Sequence, residues 1–327
     1  MSARATVWFA VVAIAGAFIA WWMVESASTP IRPEFLHDSP RANLAPAPGS
    51  DATQRIPTPP FPTRIEPDAM SPKDSLSAVA RRYRDAKDKR KFFDEALRLG
   101  GSANAHFAWE AIADCSFVFR TGVVGAEQRL AGSMDPNDRE YQARLEAHQK
   151  RYAGCTGFEG FQATTRDLAA VYERQGVGDD ALANFYRALK TGRTHMERQE
   201  VLLPAARRLI ETGDPYAVFE VGARIARLSV DVEKCGGRMD GCEESRRANM
   251  ESNAWVLAAC DLGMECGMNS TAVLDNCIGG GGCERTDVES VMLGSSELDD
   301  SAREAIQTRR REIGRAIAHR DWARLGL

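Results

Sequence analysis

The chain lacks the short motifs that announce most catalytic chemistry. It has no G-x-S-x-G nucleophile elbow, no H-E-x-x-H zinc pair and no Walker phosphate loop. Histidine is scarce: five residues, scattered at 37, 106, 148, 195 and 319. C-x-x-C is missing too, which argues against a thioredoxin-type pair and against zinc knuckles. No catalytic, cofactor-binding or metal-ligating residue is therefore assigned, and no cofactor is expected. No segment alternates convincingly between apolar and polar residues around an Asn-Gly or Asp-Gly turn, so strands are not expected. Nor is there an excess of positive charge. The formal net charge is -4 and the pI about 5.9. Such a surface has no general attraction for phosphate backbones, so nucleic acid is not an expected partner.

What is present begins at the N-terminus. The run "VWFAVVAIAGAFIAWWMV", from Val7 to Val24, is 18 residues long and uncharged. A helix of that length spans roughly 27 Å, close to a bilayer's hydrocarbon thickness. Arg4 precedes it, and Trp21 and Trp22 close it, suiting the membrane interface. Residues 1–25 therefore read as a cytoplasmic tip and single-pass anchor in a bacterial inner membrane, with the rest in the periplasm. The alternative is a signal peptide cleaved near Ser28, which exports the same body. The early region has no cysteine to carry a lipoprotein anchor.

Residues 26–72 read as a disordered tether. The stretch 29–72 holds 11 of the chain's 14 prolines, and proline removes backbone donors and fixes φ. Extended at roughly 3.1 Å per residue, it reaches on the order of 100 Å. Spacer is the plainer reading; a ligand for an aromatic groove is the sharper one.

The body, 73–327, is helical in pattern throughout, and nine to eleven helices are expected. "DSLSAVARRYRDAKDKRKFFDEALRLGG" reads as one helix, opened by Asp74 or Ser75 and stopped at Gly100-Gly101. "NAHFAWEAIADCSFVFRTG" reads as the next, closed by Gly122. Asp135-Pro136 and Asp214-Pro215 each place an N-cap before a proline at the first helical position. Thr194 with Glu197, and Thr286 with Glu289, fit capping boxes. Pro204 predicts a kink or break.

Within 165–230 the pattern suggests repeats. In "LAAVYERQGVGDDALANFYRALKTG", Leu168, Ala169 and Tyr172 precede Gly176 and Gly178; Ala181 or Leu182, Tyr186, Ala188 and Gly192 follow. A fainter echo is "GDPYAVFEVGARIARL", Gly213 to Leu228. These residues, about 165–228, resemble a degenerate Sel1-like repeat of the tetratricopeptide type. The resemblance implies an irregular, solenoid-like array of helical hairpins that binds another protein, through a groove lined by Tyr and Arg. Two ordinary amphipathic pairs would give the same stripes.

All eight cysteines lie from 115 onward, and the segment 231–293 is rich in them. Export puts them in an oxidising compartment, so disulfides are expected rather than metal. Cys260 and Cys277 each end a helix, and each is followed six residues later by a loop cysteine. That symmetry predicts Cys260–Cys277 and Cys266–Cys283, with Cys235–Cys242 a local staple and Cys115–Cys155 the remainder.

Three further features have plain readings. His106 and Glu110, four apart, share a helix face; nothing nearby completes a metal sphere, so a surface pair is expected. Asp179-Asp180 and Asp299-Asp300 sit at helix starts, where negative charge suits the dipole. The basic C-terminal helix could lie on anionic lipid, helped by Trp322, but docking through Ile306, Ile313 and Ile317 is simpler. The sequence thus reads as a membrane-anchored, disulfide-stapled, all-α scaffold for a protein partner of unknown identity. An envelope enzyme, such as a helical cell-wall hydrolase, is the alternative.

Overall fold

A computed structural model of the chain describes residues 75–119, 121–191, 195–228, 242–295 and 298–327, without the side chains of 195–199 and 227–228. The expected anchor residues Val7, Trp21, Trp22 and Val24, the tether 26–72, Thr194 and Cys235 lie outside the described residues. Among the described residues the fold is all-α. Thirteen α-helices and three short 3-10 helices occur, and the one ladder contact is an isolated bridge between Gly267 and Asp287. None of these helices is long and apolar enough to cross a membrane.

Helix α1 (Leu76–Asp85) starts where Ser75 caps it, its side chain accepting from the Ala78 amide. Leu76, Val79, Ala80 and Tyr83 form the buried stripe. The helix does not run on to Gly100. Ala86 is extended, and the Asp88 carboxylate accepts from the Arg90 and Lys91 amides at 2.9 and 3.0 Å. An aspartate that satisfies the next turn's amides starts a new helix, here α2 (Lys89–Leu99). Gly100 and Gly101, at φ 72° and 78°, turn the chain into α3 (Ser102–Cys115). Residues 102–108 of α3 are all buried, so this helix is the centre of the N-terminal half. It packs on α2, on α1 and on a later helix, Thr165–Arg174.

Gly122 opens α4 (Gly122–Ser133) rather than closing its predecessor. α5 (Tyr141–Tyr152) begins six residues after Asp135. The Asp135 carboxylate instead accepts from the Asn137 amide, and Asp138 from the Glu140 amide, both at 2.9 Å. These local bonds make turns. α6 (Thr165–Arg174) opens on a capping box of Thr164 with Asp167. α7 (Ala181–Thr191), α8 (His195–Ile210), α9 (Pro215–Leu228) and α10 (Glu243–Asp261) follow. α8 continues through Pro204. Asp214 does start α9, accepting from the Tyr216 amide at 2.9 Å. α11 (Thr271–Ile278), α12 (Val288–Leu293) and α13 (Asp300–His319) complete the set. The capping box of α12 is Asp287 with Ser290, one residue beyond Thr286 and Glu289.

From α7 to α10 each helix lies on the next, α7 on α8, α8 on α9 and α9 on α10, and α10 then packs on α13. α6 lies on α3, and α11 on α5. Tyr186, from the repeat-like stretch, is fully buried. At the C-terminus Ile306, Ile313 and Trp322 are buried and Ile317 half-buried. Arg309 pairs with Glu251 and Arg310 with Asp261 and Glu289. The helix is therefore docked, and Trp322 is unavailable to a lipid surface.

The cysteine pairing corrects the symmetric expectation. Cys115 is bridged to Cys155, which a 3-10 helix, Ala153–Phe158, brings within 5.4 Å Cα to Cα. In place of Cys260–Cys277 and Cys266–Cys283, the bridges are local: Cys260–Cys266 and Cys277–Cys283. Two causes act together. Gly263, and then Gly280 and Gly282, adopt positive φ and fold each loop back onto the helix it leaves. Meanwhile α11 docks on α5 instead of α10, so like positions never meet. The second loop is held there by hydrogen bonds: Arg144 donates to the Cys277 carbonyl at 2.8 Å, and the Cys283 amide to Glu140 at 3.1 Å. Cys242 caps α10; its expected partner, Cys235, is outside the described residues.

Candidate functional site

Helix α3 carries three ionisable side chains at four-residue steps, His106, Glu110 and Asp114. That spacing puts them in one row on one face. The surrounding helices meet this row with polar groups of their own.

At the N-terminal end stands His106, 3% exposed. Its Nδ1 is 2.7 Å from the Tyr186 hydroxyl, and its Nε2 is 3.4 Å from Glu220 Oε1. The same hydroxyl is 3.1 Å from Glu220 Oε2, so its single proton serves one acceptor at a time. Burial lowers the His106 pKa, outweighing the opposing pull of Glu220, and the ring is neutral near pH 7. With the proton on Nε2, that N–H faces Glu220, and the tyrosine donates to Nδ1. Arg224 pairs with Glu220 at 3.7 Å and lies 5.7 Å from the Tyr186 ring centre. Burial, then the charge of Glu220, raises the Tyr186 hydroxyl far above its usual range.

At the other end Asp114 is the hub of an ion network. Arg151 donates to its Oδ1 at 2.7 Å, and Lys89 to its Oδ2 at 3.3 Å. The Tyr83 hydroxyl donates to Oδ2 as well, and Arg151 reaches on to Asp275 at 2.9 Å. Burial alone would raise the Asp114 pKa. The Arg151 charge and hydrogen bond outweigh it, with help from Lys89 and Tyr83, and hold the carboxylate well below its usual range. Asp275 shifts the other way, because its burial exceeds the pull of Arg151. Five helices, α1, α2, α3, α5 and α11, contribute one group each.

Glu110 lies between these clusters and differs from both. Among the described residues no hydrogen bond or ion pair reaches its half-buried carboxyl. Burial pushes its pKa up, and the negative charges of Asp114 and Glu220 add to the effect, to about 8. It is therefore a neutral acid at pH 7, beside one ionised carboxylate on its own helix. This is chemically a proton donor in waiting, or a hydrogen-bond donor to a ligand. The edge-to-face pair of Trp109 and Tyr172, ring centres 5.4 Å apart, flanks it in sequence and across to α6.

The predicted site residues thus separate. His106 and Glu110 share a face, as expected, yet His106 turns to Tyr186 and Glu220 instead of to Glu110, and neither pairs with the other. Among the described residues no group of three His, Cys, Asp or Glu is placed to hold a metal. Sequence reading missed Asp114, although a third ionisable group at the same spacing in an alanine-rich helix was a signal. Glu220, isolated in the apolar "PYAVFEVGARIARL", was another. Arg151 and Asp275 had no local signal. No protein family, curated protein or solved structure matches this chain.

Proposed function

We propose that this chain is a membrane-tethered periplasmic scaffold that binds another protein without catalysing a reaction. The observation that carries the reading is the run of helix on neighbouring helix from α7 through α10 to α13. Such arrays display side chains over a large area and need no cofactor to bind a partner. The Sel1-like character of residues 165–228 points the same way. So do the bridges, which suit an oxidising compartment, and the apolar run from Val7 to Val24, which fits a single-pass anchor with its N-terminus inside. The test is crosslinking of the intact protein in its native envelope, followed by identification of what accompanies it. Reproducible capture of one protein supports the scaffold; capture of none, at saturating crosslinker, removes it.

One observation favours a second reading, the envelope hydrolase. Glu110 is held protonated near neutrality, as a general acid for glycoside cleavage would be. Purified chain and its Glu110→Gln variant, incubated with peptidoglycan, decide this. Release of soluble glycan by the parent and not by the variant would establish the enzyme; silence from both leaves Glu110 a structural acid.

A further inference from the structure

We propose that the corner between α1 and α2 is a docking site for a carboxylate-rich peptide segment of a partner protein. The proposal rests on the scaffold reading and gives it a place and a chemistry.

A depression of about 470 Å³ opens at this corner, lined by Arg82, Ala86, Lys87, Asp88, Lys91, Phe92 and Glu95. Its cations are distinguished by what they do not touch. Lys89 turns inward to Asp114, and Arg90 pairs with Asp94 at 3.0 Å while lying 4.3 Å from the Phe161 ring centre. The three that face the depression are left over. Arg82 donates to the neutral side chain of Asn104 at 3.0 Å, and Lys87 and Lys91 form no ion pair among the described residues.

Of the three, Lys91 sits where a cation is electrostatically costly. The first turn of α2 contains no acidic residue and carries three cations, Lys89, Arg90 and Lys91. Cations are unfavourable at the positive end of a helix dipole. An anion seated among Lys87, Lys91 and Arg82 would give these three cations the ionic partner they lack. Two acids oppose it at the rim. Asp88 is committed to the Arg90 and Lys91 amides, and Glu95, exposed, lies one turn along from Lys91. The floor is Phe92, 6% exposed, with the Arg82 guanidinium 6.0 Å from its ring centre. Cationic walls over an aromatic floor suit a carboxylate carried on an apolar stem, as in a glutamate-rich segment.

The test uses the full chain in detergent micelles and a fluorescein-labelled hexaglutamate peptide, read by anisotropy, with inorganic phosphate as competitor. The expected result is saturable binding whose Kd rises at least tenfold in Lys87→Glu/Lys91→Glu. Arg311→Glu/Arg315→Glu, equal in charge change but on α13, should leave Kd within twofold. Glu95→Gln should tighten binding severalfold, which a merely structural role would not produce. The proposal is overturned by absent saturation, by equal loss in both charge-reversed pairs, or by phosphate displacing the peptide at equal concentration. Envelope crosslinking separates this failure from that of the scaffold. A partner recovered as well by Lys87→Glu/Lys91→Glu as by the parent would move the interface elsewhere and leave the scaffold standing.

Discussion

Gly222 on α9 lies against Trp255 on α10 with no room for a methyl group between them. A Cβ on the glycine would stand 2.2 Å from the Trp255 Cβ and 2.3 Å from its Cγ. Trp255 is 1% exposed and tethered, its indole N–H donating to Glu251 at 2.9 Å. Glu251 is held in turn by Arg309 of α13. The glycine thus sets the spacing of α9 and α10, and Glu251 ties that pair to α13. Gly222→Ala should destabilise the fold by about 1–3 kcal/mol or more, through overpacking, measured as a fall in urea midpoint. Because the collision is with a Cβ, Trp255→Ala in the same chain should not restore stability.

The Asp114 network supports a sharper prediction. Asp114→Asn leaves Arg151 and Lys89 buried without their shared anion, and removing one member of a buried pair costs about 3–5 kcal/mol. Asp114→Leu combined with Arg151→Met and Lys89→Met should recover much of this loss, since a buried ionic cluster removed as a whole is replaceable by apolar groups of similar volume. Denaturant unfolding of the parent and the two variants would check the order.

Glu110 makes stability depend on pH in a defined window. Its folded-state pKa, about 8, is above its ordinary value of 4.5, so the folded chain binds a proton that the unfolded chain has released between those values. Stability from this residue is therefore complete below about pH 4.5 and declines until pH 8. Glu110→Gln should abolish that slope and make the variant more stable than the parent at pH 8.5, on the order of 2 kcal/mol after allowing for its partial exposure. Urea midpoints at pH 5, 7 and 8.5 give the answer; parallel curves for parent and variant would refute it.

The bridges can be mapped without a structure. No lysine or arginine lies between Cys260 and Cys283, so trypsin leaves all four cysteines in one peptide. Cyanogen bromide cleaves after Met264, inside the first loop, where the bridge holds the two pieces together, and after Met268, between the two local loops. Unreduced fragments should then separate into one holding Cys260 and Cys266 and another holding Cys277 and Cys283. Crossed bridges would keep them joined. The loop-entropy relation also ranks the bridges: about 4 kcal/mol for Cys115–Cys155, with 40 residues of separation, against about 2 kcal/mol for each six-residue loop. Paired Cys→Ser variants should lose stability in that order.

How far the sequence reached depended on the range of the interactions. Asp214-Pro215 and Asp135-Pro136 are the same dipeptide, and only the first opens a helix. Apolar residues follow Asp214, ready to be buried, whereas Asn137 and Asp138 follow Asp135 and bond locally instead. The single helix expected across residues 74–101 failed for a similar reason at Asp88. The ends of α10 and α11 were legible because their cysteines coincide with helix termini, but the pairing was not. It depends on α11 choosing α5 as its neighbour, a contact with no trace in local pattern. The polar row on α3 was half visible as His106 and Glu110. Its meaning rests on Tyr186, Glu220, Arg151 and Asp275, which arrive from distant helices.

Each described bridge joins a cysteine to the next one along the chain: 115 to 155, 260 to 266, 277 to 283. A polypeptide threading out of a translocase with its N-terminal end first exposes its thiols in that same order. An oxidase that links whichever two thiols are free at the moment would make these native bonds in sequence. Under the periplasmic reading proposed above, maturation of these pairs needs an electron acceptor but no isomerase to reshuffle wrong partners, and their biogenesis should tolerate the loss of a proofreading pathway.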